Sequence, residues 1–128
     1  MKRLCLLLFL VVVAGACAPA APRAVTIEIH YSHYSMSQLD VPAGIPITFM
    51  IRNDDPIDHE WMIGDMAMHE RHRLGTEAVH ASRPDEVTIP ALSTRTTTLT
   101  FATPMTLIYM CHLPGHEAYG MVGTLVAR

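Results

Sequence analysis

The sequence predicts an all-β chain, a Greek-key β-sandwich of about seven to eight strands with one His-rich loop or short helix inserted. Two observations lead there. From Val25 onward apolar and polar residues alternate with a period of two, the pattern of strands with one buried face. The runs are short and are divided by turns rich in Gly, Pro and Asp, which favours antiparallel strands joined by Greek-key connections.

The N-terminal segment stands outside that sandwich. Lys2 and Arg3 precede an apolar run over 4–13, broken only by Cys5, and Ala14, Gly15 and Ala16 follow. This is the pattern of an export signal, too short to be a stable membrane span. Cys17 after Ala-Gly-Ala resembles the lipobox of bacterial lipoproteins, whose cysteine is lipidated and becomes the new N-terminus. Ala14 stands where a larger aliphatic residue is commoner. The expected organisation is a signal over 1–16, a tether over 17–24 and one folded domain over 25–128. A domain of that size buries a core without disulfides. The expected location is the periplasm or the outer face of the cytoplasmic membrane, with a lipid anchor on Cys17.

The strands follow in order. Val25, Ile27 and Ile29 alternate with Thr26, Glu28 and His30. Ile45, Ile47, Phe49 and Ile51 form a longer set, entered through the turn-like Val41-Pro-Ala-Gly44 and left through Asn53-Asp-Asp-Pro56. Short segments at 61–63, 87–89, 96–101, 106–110 and 121–126 complete the set. The segment 64–83 is polar and carries His69, His72 and His80, so it reads as a loop with a helical turn or two. His69 and His72 would share a face of such a turn, near Met66 and Met68. The reading favours a polar loop over a second copper or zinc site. His30 and His33, with Met36, read as strand-end residues, and Trp61 reads as core.

Cysteine counting isolates one thiol. Cys5 leaves with the signal and Cys17 is capped by lipid, so Cys111 is alone in the domain and cannot form an internal disulfide. Without Lys2 and Arg3 the chain holds seven Arg and twelve acids, so the net charge is 7 − 12 = −5 with neutral histidines. That balance argues against nucleic acid as a partner.

In the C-terminal stretch Cys111, His116 and Met121 recur at steps of five residues. Thiolate and imidazole are strong copper ligands, and a thioether is a soft, weak one. Pro114-Gly115 would turn the chain so that Cys111 and His116 face one point, and Gly120 would turn it back to present Met121. His112, adjacent to Cys111 in an extended segment, would face the other way. A second imidazole must come from elsewhere. His59, in Asp58-His59-Glu-Trp, offers it; alone it would read as a solvated loop histidine.

With these residues in view, the chain resembles the cupredoxins, the type 1 (blue) copper proteins. Its motif spacing is similar to that of auracyanin-, rusticyanin- and sulfocyanin-like members. The resemblance rests on Val41-Pro-Ala-Gly-Ile-Pro-Ile-Thr-Phe-Met-Ile-Arg-Asn53 and on the Cys-x4-His-x4-Met gaps, and it covers nearly everything after the signal. It implies one type 1 copper ion, with His59, Cys111 and His116 in a trigonal plane and Met121 on the long axis. It implies a one-electron carrier between protein redox partners, a monomer and not an enzyme, since all four positions are filled by protein. Asp58 and Glu60 beside His59 depart from the family pattern. The alternative is an extracytoplasmic copper carrier or buffer that uses the Met/His-rich segment 62–80.

Overall fold

The computed structural model describes residues 23–76 and 83–128, so the leader, Cys17, the tether up to residue 22 and His80 lie outside the described residues. The chain forms β1 (Arg23–His30), β2 (His33–Tyr34), β3 (Gln38–Val41), β4 (Pro46–Asn53), β5 (His59–Gly64), α1 (Met66–Arg73), β6 (Glu86–Ile89), β7 (Thr94–Thr100), β8 (Met105–Met110) and β9 (Val122–Ala127). Two sheets result, ordered β2-β1-β4-β7 and β3-β9-β8-β5-β6. This is the expected sandwich.

The alternation in sequence becomes the core. Ile27 and Ile29 of β1, Ile47, Phe49 and Ile51 of β4, and Leu125 of β9 are all fully buried between the sheets. Trp61 packs there as expected, its ring 5.0 Å from that of Phe49.

The sheets differ from the expectation in being mixed. β1 runs parallel to β4, and β3 runs parallel to β9. After the β1–β2 hairpin the chain crosses to the other sheet for β3 and returns beside β1 as β4. A crossover of that kind returns the chain in the same direction, so antiparallel pairing is lost there.

The helical turns expected within the polar segment 64–83 lie in its first half, where α1 packs on the outside of the five-stranded sheet. Asp65 caps the helix, accepting from the Met68 N–H at 2.7 Å. Gly75, at φ +62°, follows its last turn. Met68 and His69 are buried beneath it, and Gly64 leaves the room that the Met68 thioether occupies. This cover explains why all six residues of β5 are buried. Trp61 and Ile63 belong to the core between the sheets, and Glu60 and Met62, offset by one, face the helix. Among the described residues no helix is long and apolar enough to cross a membrane.

Candidate metal centre

One end of the sandwich gathers the residues that the sequence singled out. His59 opens β5 and Cys111 directly follows β8. These two strands are hydrogen-bonded neighbours, with Met62 paired to Met110, so their ends lie side by side. The Glu60 N–H accordingly donates to Cys111 Sγ at 3.3 Å. The loop from Cys111 to Met121 is closed at its base by two backbone bonds, Cys111 N–H to the Met121 carbonyl and Met121 N–H to the His116 carbonyl, both at 3.1 Å. Its two turns use Gly115 at φ +86° and Gly120 at φ +94°, conformations that cost a residue with a Cβ about 1 kcal/mol or more.

The loop brings His116 back over Cys111. Cys111 Sγ lies 3.2 Å from His116 Nδ1, and His116 Nδ1 lies 3.2 Å from His59 Nδ1. One donor atom from each of the three residues lies within 4.8 Å of the others. Three donors about 2.0–2.1 Å from one ion in a plane stand about 3.5 Å apart, so the spacing suits a bound ion. Met121, just outside β9, is fully buried in the same cluster as Cys111. His112 turns the other way, its Nε2 2.9 Å from His69 Nδ1.

The acid that matters to His59 is one the sequence reading passed over. Asp55 Oδ2 accepts from His59 Nε2 at 2.9 Å, which places the ring proton there and leaves the Nδ1 lone pair of the neutral ring toward His116. The same carboxylate accepts the N–H groups of Tyr31 and Ser32, each at 2.7 Å. Burial pushes the Asp55 pKa up, but the bonds from Ser32, Tyr31 and His59 outweigh it and hold the carboxyl below its ordinary value. Asn53 fixes the segment in turn. Its amide donates to the carbonyls of Ile57, Ile89 and Pro90 at 2.7, 3.2 and 3.0 Å, and its Oδ1 accepts from the Asp55 N–H at 2.9 Å. Of the acids noted beside His59, Asp58 binds the Ala91 N–H at 2.9 Å, and the Glu60 carboxylate faces α1.

The electrostatics suit a cation. Burial pushes the Cys111 thiol up, partly offset by the N–H groups of Glu60 and Leu113, so its proton leaves most readily in exchange for a metal. Burial, with His59 beside it, lowers the pKa of His116, which favours the neutral ring that ligation needs. The two Nδ1 atoms stand 3.2 Å apart, close enough for one cation to take a lone pair from each ring.

Fold and site together define a β-sandwich with a buried set of two imidazoles and one thiol at one end. Residues 3–92 match the family model described as a cupredoxin-like domain, and the chain belongs to that family. The matched stretch includes His59 and stops short of the loop from Cys111 to Met121. The chain is 23% identical over 143 residues to the copper-resistant cuproprotein CopI of Pseudomonas aeruginosa, covering 87% of this chain and 79% of that protein. Among solved structures it is similar to reduced auracyanin from Roseiflexus castenholzii (TM-score 0.69, 21% identity, covering 85% of this chain and 99% of that one). It is likewise similar to auracyanin A, a "blue" copper protein from Chloroflexus aurantiacus (TM-score 0.66, 22% identity, 84% and 100% covered). At these identities the structural likeness is one of fold.

Proposed function

We propose that His59, Cys111, His116 and Met121 hold one copper ion as a type 1 centre, and that the protein is a one-electron carrier. The observation that carries this is the convergence of His59 Nδ1, Cys111 Sγ and His116 Nδ1 within 4.8 Å on a frame of β-strands. Copper in such a set supplies a reversible one-electron couple whose two oxidation states prefer different geometries. The chain's part is to hold the donors still. Asp55 orients one imidazole, the Glu60 N–H donates to the sulfur, and two backbone bonds close the loop that carries the rest. With the thioether of Met121 as fourth donor no position is left for a substrate, which supports a carrier rather than an enzyme. His116 is part-exposed on the loop, so its ring edge offers a path to protein redox partners. Export, and anchoring through lipid on Cys17 at the outer face of the membrane, rest on the leader pattern and complete the reading.

A second reading, copper handling, is favoured by the copper-resistant cuproprotein among the relatives. One experiment separates them. The copper-loaded protein is reduced and reoxidised repeatedly in the presence of a Cu(I) chelator. A carrier keeps its copper and passes one electron per cycle; a protein that surrenders copper on each reduction is a handler, and the carrier reading then fails.

A further inference from the structure

The face of the five-stranded sheet beneath α1 gathers a second set of metal-ligating side chains, separate from the first. In the β5–β6 register Met62 pairs with Glu86 and Glu60 pairs with Thr88, so Glu60 and Glu86 are diagonal neighbours on one face. That face is turned away from Trp61 and the core, and α1 lays His72 across the two glutamates. His72 Nε2 lies 3.5 Å from Glu60 Oε2, and His72 Nδ1 lies 3.9 Å from Glu86 Oε1. One donor atom from each of the three lies within 4.8 Å of the others. The side chains are nine-tenths buried or more, at 6% exposure for Glu60, 0% for Glu86 and 8% for His72. The His112 ring lies 4.7 Å from that of His72 and borders the group.

We propose that Glu60, His72 and Glu86 form a second metal site for a divalent cation of the zinc class, one that fastens α1 to the sheet. The donor chemistry selects the class. Two carboxylate oxygens and an imidazole nitrogen are hard-to-borderline ligands, suited to Zn²⁺ and poorly suited to Cu(I). A divalent cation bound there brings positive charge to two buried carboxylates. Each of the three ligands sits on a different element, α1, β5 or β6, so binding joins the helix to both strands.

Zn²⁺ titration with metal analysis after gel filtration tests this. The copper-loaded protein is expected to retain about one equivalent of zinc beside its copper. The Cys111→Ser/His116→Ala double variant is expected to retain the zinc alone, which separates this site from the first. His72→Ala and Glu86→Gln should each weaken zinc binding by about tenfold or more, and should abolish the rise in thermal midpoint that zinc gives the parent. Glu86→Gln keeps the side-chain shape, so its fold serves as the control. A parent that retains no zinc, or zinc binding that Glu86→Gln leaves unchanged, overturns the proposal.

Discussion

Asp55 joins two features that are far apart in sequence. Tyr31 and Ser32 sit at φ +51° and +54°, a left-handed pair in the β1–β2 hairpin with no glycine to ease it. The Asp55 carboxylate takes both of their N–H groups and the His59 ring proton, so one side chain supports the hairpin and the candidate ligand together. Asp55→Ala is expected to lower stability by about 2–3 kcal/mol in chemical denaturation and to weaken copper binding by about 10–100-fold in competition titration. Asp55→Asn keeps an acceptor and should lose less of both; equal losses would place the effect in packing alone. Cys111 was legible from counting thiols, and His116 and Met121 from their spacing. Asp55 was not, because its tie to Tyr31 and Ser32 exists only once β4 has come back parallel to β1.

At the scale of elements, β8 and β9 fix the spacing of the loop they enclose. Tyr109 pairs with Gly123, and the phenol ring lies where a Cβ on Gly123 would stand. The room beside Gly123 belongs to Tyr109, whose hydroxyl donates to the Met36 carbonyl. Gly123→Ala is therefore expected to cost about 1–3 kcal/mol of stability and to broaden any copper signal by loosening the loop. An unchanged denaturation midpoint would contradict it. The long alternating strands were legible because each carries its own pattern. β2 has two residues and carries none, and β3 lay hidden because Val41 was read as the start of a turn, although Leu39 and Val41 alternate inward. The burial of α1 was hidden too: its residues are mostly polar, and only the outward-facing glutamates and methionines of the sheet make sense of His69 and His72 pointing in.

The whole molecule is a sandwich with one phenol in its core, Tyr109, and a second, Tyr34, packed against it, and this sets its alkaline limit. Burial pushes the Tyr109 pKa up to about 12, and burial, with Cys111, Glu60 and Tyr109 nearby, holds Tyr34 well above its usual value. The Tyr34 hydroxyl donates to the Glu60 carbonyl at 2.5 Å. Both groups keep their protons in the folded state after the unfolded chain has lost them, so their contribution is complete below about pH 10 and falls as pH rises toward 12. Denaturant midpoints should drop between about pH 10 and pH 12, with the tyrosinate signal of these two residues appearing on unfolding. Their ionisation in a chain that stays folded with an unchanged midpoint would contradict this. The rigidity of the same frame underlies the proposed role, since donors fixed by both sheets cannot rearrange freely between oxidation states. The measurement that bears most directly on the role is a Cu(II) titration followed by visible absorption and paramagnetic resonance, on the parent and on Cys111→Ser. One equivalent should develop an intense copper–thiolate band with a compressed copper hyperfine splitting, both absent from the variant. A colourless copper-loaded parent, or a band that survives in Cys111→Ser, would contradict it.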